Sequence, residues 1–159
     1  MSLKKRKSKM SQGLQQKENQ LRQLVTEMRM MEGTVNTLQQ RLQVVLASVS
    51  ELRVAKQSLE DLKNIKSGNN LLVPVGGAAF INATLGELDK IVMGIGADVS
   101  VEMTYEDALK DVNERLEEME KAQGSIDQQL GQIMAQLESH QAMAENLSTN
   151  IQQGVQGSI

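Results

Sequence analysis

The chain has 159 residues, no cysteine and a formal net charge of -3 at pH 7. Aromatic residues make up 1% of it, and because aromatics normally supply much of a core's buried area, a compact single-chain core is not expected. The lack of cysteine excludes disulfides, thiolate metal sites and cysteine nucleophiles, and it favours a reducing compartment. A chain rich in Gln, Leu, Glu and Met with so few aromatics is typical of long helices packed through narrow seams.

Residues 1–13 form a basic segment with almost no apolar content. Burial of apolar surface cannot offset the entropy of ordering such a segment, so we predict a disordered tail. A basic cluster ahead of leucine heptads is also how a basic-zipper protein begins, which is the alternative. The chain beyond the cluster is acidic and would repel phosphate, so we expect no nucleic-acid partner. The cluster consists of Lys4, Lys5, Arg6, Lys7 and Lys9.

A heptad repeat begins at Leu14 and predicts a coiled-coil helix over residues 14–67. Apolar residues at 3–4 spacing occupy a narrow stripe on one side of a helix, which is the seam of a coiled coil. The pattern slips after Leu52 to Ala55, and Gly68 provides a residue that tolerates positive φ beyond the last turn. The stripe comprises Leu21, Leu24, Met28, Met31, Val35, Leu38, Leu42, Val45, Val49, Leu52, Ala55, Leu59 and Leu62.

Residues 70–103 differ from both flanks, because they contain the one proline, Phe80 and a higher density of β-branched residues. Four extended segments, roughly 71–75, 79–85, 89–95 and 98–103, are separated by glycine-containing breaks and predict two β-hairpins. Strands this short need a covering layer, and an open sheet edge recruits another chain. We therefore predict that this insert joins subunits, through Leu71, Val73, Phe80, Ile81, Ile91, Val92, Val99 and Val101.

A second coiled-coil helix is predicted over residues 104–153, with Thr104 as its cap and a flexible C-terminus over 154–159. Because the two stripes match in length, the predicted fold is mainly α with a small β insert: a long antiparallel hairpin coiled coil with two central β-hairpins. Its arm would be about 70 to 80 Å long. Counting along both helices places Met31 opposite His140. The second stripe comprises Leu109, Val112, Leu116, Met119, Gln123, Ile126, Leu130, Ile133, Leu137, His140, Ala144, Leu147 and Ile151.

Two stripe residues, Gln123 and His140, are polar. A polar residue in a seam commonly fixes the register of the helices at some cost in stability, which is the interpretation we favour. Metal binding or general-base catalysis by His140 is the alternative, but no carboxylate cluster with ligand spacing accompanies this histidine. We expect no metal site and no cofactor.

The far end of the predicted arm is weakly charged and carries apolar residues outside the stripes. Beyond Gln128 the acidic residues are reduced to Glu138 and Glu145. The off-stripe apolar residues are Val25, Met30, Met134 and Met143. They indicate either a frayed or helix-packed end or an adaptable apolar contact surface, for which the flexible, polarizable methionine is suited.

No enzyme is predicted. Gly94-Ile95-Gly96 lacks the remaining glycine of a dinucleotide loop, and no phosphate-loop lysine follows Gly76-Gly77. No nucleophile, base and acid set is visible. The longest apolar run, 71–81, is about half of a membrane span, and no signal peptide is recognised, so we expect no membrane partner and a cytoplasmic protein.

Nearly all of the chain past the basic segment resembles the α-class subunit of prefoldin, the hexameric cytosolic chaperone of archaea and eukaryotes, and the resemblance is most specific in the insert. The matching residues are Val73-Pro74-Val75-Gly76-Gly77, Asp89-Lys90-Ile91-Val92, Ile95-Gly96-Ala97 and the stretch 102–108. Two hairpins between the helices, in place of one, distinguish the α class from the β class.

The resemblance implies a double β-barrel body made by the inserts of six subunits, two α and four β, with six coiled-coil tentacles. It implies a holdase that needs no ATP, binds non-native proteins at the tentacle tips and passes them to a group II chaperonin. On this interpretation clients contact the arm end through Leu21, Val25, Met28, Met143, Leu147 and Ile151. The alternative is a structural coiled-coil adaptor or scaffold subunit of a larger complex, without client-holding activity.

Overall fold

The computed structural model describes residues 3–156, with side chains described for residues 12–154. Two long helices flank two small antiparallel β-hairpins, which confirms the predicted mainly α fold with a β insert. Contacts divide the chain into two compact units, an arm unit (Met1–Gln43 with Gly124–Ile159) and a body unit (Val44–Gln123). The elements are α1 (Leu3–Lys63), β1 (Asn70–Gly76), β2 (Ala79–Thr84), β3 (Ile91–Gly96), β4 (Val99–Met103) and α2 (Tyr105–Gln156).

Helix α1 begins at Leu3, inside the segment predicted to be a disordered tail. Lys, Arg, Gln and Met are good helix formers, and residues 3–12 contain no glycine or proline, so backbone propensity favours continuing the helix. Residues 154–156 of the predicted flexible C-terminus are helical, whereas residues 1–2 and 157–159 lie outside the described residues. None of the described helical segments contains an apolar stretch of the length that a membrane crossing requires.

The two heptad stripes form the seam of the helix pair. Within residues 12–154, every predicted stripe residue, including the polar Gln123 and His140, is buried or half-buried. The off-stripe Val25, Met30 and Met143 are exposed, as the heptad pattern predicts. Only a narrow face of each helix is therefore covered, which is coiled-coil packing.

The core of the body unit lies where the last turns of α1 meet the first turns of α2. Leu59, Tyr105 and Val112 form a buried cluster. The hydroxyl of Tyr105 donates a hydrogen bond of 2.9 Å to the main-chain carbonyl of Leu59, and Lys63 Nζ lies 5.4 Å from the centre of the tyrosine ring. The cluster is extended by the half-buried Leu52, Ala55, Ile91, Met93 and Leu109.

The two hairpins are separate two-stranded antiparallel sheets, and their loops have the same type of turn. In the first, Val73 pairs with Ile81 and Gly76 with Ala79, and the register shifts between Pro74 and Gly76. In the second, Met93 pairs with Val101 and Gly96 with Val99, and the register shifts between Gly94 and Gly96. Both two-residue loops, Gly77-Ala78 and Ala97-Asp98, have positive φ at both positions, which is the type I′ conformation that suits the twist of a hairpin.

Thr104 caps α2, as the sequence predicts. Its Oγ1 accepts a hydrogen bond of 3.1 Å from the backbone N–H of Asp107, and its hydroxyl donates to Asp107 Oδ2 at 2.8 Å. One of the free N–H groups at the helix start is thereby satisfied, and the carboxylates of Glu106 and Asp107 lie in the first turn, where the helix dipole favours negative charge.

Candidate protein-binding surfaces

An open groove runs along one flank of the arm unit, which we call the arm groove. It has a volume of about 540 Å³ and is formed by both helices. Three of its eight lining residues are apolar, four carry side-chain amides, and one is a carboxylate. The lining residues are Gln20, Gln23, Leu24 and Glu27 on α1 and Met143, Asn146, Leu147 and Asn150 on α2.

The carboxylate of the arm groove also contacts the one histidine of the chain. His140 Nε2 lies 3.1 Å from Glu27 Oε2, and His140 Nδ1 lies 2.9 Å from the carbonyl oxygen of Gln136. Counting along the helices predicted Met31 opposite His140, whereas this contact is to a residue one helical turn earlier, because a glutamate side chain reaches across the seam. No group of His, Cys, Asp and Glu within the described residues could hold a metal ion.

The residues predicted to contact clients fall into two sets. Leu21, Met28, Leu147 and Ile151 are half-buried in the seam. Val25 and Met143 are exposed, the latter by 52%. Of the six, the groove brings together Met143 and Leu147.

Sequence reasoning missed Leu24, Glu27 and the four amides as lining residues of the groove. The available signal was the replacement of charged residues by Gln, Ser and Asn along this part of α2. A second hollow adjoins the groove, since it shares Gln23 and Glu27, and it is also lined by Arg22, Thr26 and Met30.

The first hairpin exposes apolar side chains on both of its faces. Leu72 is 67% exposed and Phe80 is 58% exposed. They lie on one face, because Leu72 and Pro74 are two residues apart on β1 and Pro74 pairs directly with Phe80. Val73 and its partner Ile81 are exposed on the opposite face. A monomeric protein rarely leaves a contiguous apolar area of this kind in water, so the hairpin is a candidate interface.

One face of the second hairpin is packed against the body unit's core, and the other face is exposed. Ile91 and Met93 pack against the core cluster of the body unit, and Val101 is half-buried beside Met93. Part of the apolar area that Ile91 and Val101 were predicted to offer to another subunit is therefore used within the chain. Val92 and Val99 are exposed, as are Leu72, Val75 and Ile95, which the sequence-based prediction did not include.

An arginine fixes the second hairpin to α2. Arg115 Nη1 donates a hydrogen bond of 3.0 Å to the carbonyl of Gly94, and Arg115 Nη2 lies 2.8 Å from Asp111 Oδ2. The second contact is an ion pair whose N–H does not point at the oxygen, so Asp111 Oδ2 is buried with its charge compensated but without a hydrogen bond. The guanidinium thus connects the helix to the strand at the register shift.

Comparison with known proteins gives a consistent result. The model of the family described as "Prefoldin subunit" matches residues 31–153. A prefoldin subunit alpha of Methanococcoides burtonii is 32% identical over 126 residues, which are 77% of this chain and 91% of that protein. A prefoldin subunit alpha of Methanococcus aeolicus is 31% identical over 137 residues, which are 86% and 88% of the two chains.

Among solved structures, the chain resembles the cryo-EM structure of a filamentous prefoldin from Methanocaldococcus jannaschii. The TM-score is 0.61 at 26% sequence identity, and the match covers 72% of this chain and 95% of that one.

Proposed function

The chain belongs to the prefoldin family of chaperone subunits, and on this premise we propose that it is an α-type holdase subunit that binds non-native proteins without ATP and passes them to a group II chaperonin. No step of such holding requires a catalytic residue, because binding a non-native chain by mass action is sufficient to keep it from aggregating. We place this activity in the cytoplasm.

Assembly is proposed to proceed through the hairpins. The relatives are α subunits, so the proposed partners are β-class prefoldin subunits in a heterohexamer of two α and four β chains. Support comes from the exposed apolar residues of the first hairpin and the outward face of the second, which need cover from other subunits. The residues proposed for assembly are Leu71, Val73, Phe80, Ile81, Ile91, Val92, Val99 and Val101.

Client binding is proposed to occur in the arm unit. The observation that carries this proposal is an open groove beside off-stripe apolar residues that nothing in the described chain covers. Methionine adapts to different partners, which suits a surface that must accept many sequences. The proposed contacts are Leu21, Val25, Met28, Met143, Leu147 and Ile151.

The test is suppression of aggregation by the full chain assembled with its partner subunits. The variant Val25→Ser, Met30→Ser, Met143→Ser removes exposed apolar groups of the arm unit without touching the stripes. Fully buried contacts of such side chains contribute roughly 1.5 to 3 kcal/mol, and a mobile client gains only part of this, so several must be lost together. We expect unchanged complex size and weaker suppression for several denatured clients.

The control variant is Val44→Ser, Val54→Ser, which removes exposed apolar groups of the body unit. It should suppress aggregation as the wild type does. If the arm variant and the control are both as active as the wild type, the arm surface of this chain does not hold clients. A complex that suppresses no aggregation at all would favour the structural adaptor.

A further inference from the structure

We propose that the arm groove selects extended apolar segments that are flanked by Lys or Arg and discriminates against the same segments flanked by Asp or Glu. This inference rests on the proposed function, since it names the class of client segment that the groove takes. The partner is a single extended stretch of a non-native polypeptide.

The polar lining of the groove fits an extended backbone. Gln20 and Gln23 lie on one wall, and Asn146 and Asn150 lie on the other. A primary amide offers both donors and an acceptor, and an extended segment presents unpaired N–H and C=O groups along its length. A helical segment has already paired these groups internally, so it would gain little from the four amides.

The apolar lining provides the second contact. Leu24 and Leu147 are half-buried in the seam, and Met143 is 52% exposed about one helical turn before Asn146. Side chains of an extended segment alternate between two sides, so every second one can lie on these three residues while the backbone meets the amides. Leu, Ile, Val and Met would be favoured at those positions.

The charge of the groove gives the selectivity. Glu27 is the one charged residue among the eight that line it, and its side chain is 49% exposed. Its polar contact within the described residues is made by Oε2 with His140, and no Lys or Arg among the residues with described side chains forms an ion pair with it. A Lys or Arg of the client can pair with this carboxylate, whereas an Asp or Glu would be repelled by it.

The structure also supplies a reporter for occupancy. His140 is the only histidine of the chain, and its Nε2 contacts Glu27, so a cation that approaches the carboxylate changes the surroundings of one identifiable imidazole. Histidine ring labelling of this chain alone, in the complex with unlabelled partner subunits, gives a single signal to follow by NMR.

The experiment compares three peptides that share one apolar core: a Lys-flanked form, an Asp-flanked form, and a Lys-flanked form with methylated backbone nitrogens in the core. An exposed ion pair contributes modestly, so we expect the Lys-flanked peptide to bind about 3- to 10-fold more tightly than the Asp-flanked one in low salt. The Lys-flanked peptide should shift the His140 signal. Backbone methylation should weaken binding, because it removes donors that the amides require.

Two variants make the test specific. Glu27→Gln keeps an acceptor for His140 but removes the negative charge. The affinities of the Lys-flanked and Asp-flanked peptides should then agree to within about twofold. Glu32→Gln removes an exposed carboxylate of α1 that does not line the groove and should leave the difference intact. Unchanged helix content of both variants is the folding control.

Equal affinity for the two flanked peptides overturns the inference. So does a difference that survives Glu27→Gln, or binding that leaves the His140 signal unmoved. Each of these results can occur while the complex still suppresses aggregation, in which case the holdase proposal stands and the groove is not its selective site. A wild-type complex that does not suppress aggregation of denatured clients would instead contradict the proposed function itself.

Discussion

Arg115 Nη1 donates a hydrogen bond of 3.0 Å to the carbonyl of Gly94, which joins a helix of the coiled coil to a β-hairpin. The carbonyl lies at the register shift of β3, where the ladder with β4 is interrupted. A bulge leaves backbone groups without ladder partners, so an arginine is a suitable donor there. This hydrogen bond supplements the packing of Ile91 and Met93 on the core cluster in holding the second hairpin against the helices.

Replacement of this arginine should loosen the second hairpin. For Arg115→Met we expect a loss of about 1.5 to 3 kcal/mol, because a hydrogen bond from a charged donor is lost and Asp111 becomes unpaired. Faster hydrogen exchange in β3 and β4 and a lower yield of assembled complex would show the effect. The matched control is Arg53→Met, since Arg53 pairs with Glu120 at 2.6 Å with both side chains exposed; its cost should be at most about 1 kcal/mol. Equal losses for the two variants would contradict a special role of Arg115.

The face of the first hairpin that carries Leu72 and Phe80 should be required for assembly but not for folding of the chain. The double change Leu72→Asp, Phe80→Asp places two carboxylates where the isolated chain is open to water, so helix content should be unaffected. In an interface the same charges would lose hydration at a cost of several kcal/mol. Light scattering should detect smaller particles. The control variant is Val54→Asp, which places a carboxylate at an exposed position of α1 and should leave the particle size unchanged. If the complex of the Leu72→Asp, Phe80→Asp variant keeps its full size, this face of the hairpin is not a subunit interface.

The type I′ turns contain residues that tolerate their conformation poorly. Ala78 has φ of +60°, which costs a residue with a Cβ roughly 1 kcal/mol or more. Ala78→Gly should therefore raise the thermal midpoint or slow hydrogen exchange in the first hairpin. Ala79→Gly, one residue later in β2 and without positive φ, should instead destabilise by about 0.5 to 1 kcal/mol. A destabilising Ala78→Gly would show that the turn differs from the type I′ conformation in solution.

Substitution by alanine should have different effects on stability at two valines of the body unit, because one is buried and the other is exposed. Val112 is 1% exposed and Val54 is 64% exposed. Val112→Ala leaves a cavity in the core cluster and should cost about 1.5 to 3 kcal/mol in urea unfolding. Val54→Ala should be neutral or stabilise by a few tenths of a kcal/mol, because alanine has the higher helix propensity. Similar costs at both positions would place Val54 in an interface.

The sequence alone determined the coiled coil, the two hairpins and the cap at Thr104. These features follow from local relations: apolar side chains at 3–4 spacing share one helix face, and glycine-containing breaks between extended segments indicate turns. The same locality explains why the stripe assignments were correct at every described position, including Gln123 and His140. Periodicity specifies which face is covered, whatever covers it.

Only the tertiary structure decided which residues meet across the two helices and between helix and hairpin. The contact of His140 with Glu27, the groove beside Leu24, the hydrogen bond from Tyr105 to Leu59 and the contact of Arg115 with Gly94 all join residues distant in sequence. Their pairing depends on how the insert returns the chain and on how far each side chain reaches, and no periodicity encodes either quantity. The heptads therefore predict which residues form the seam. Which residue of one helix contacts which residue of the other depends on three-dimensional packing.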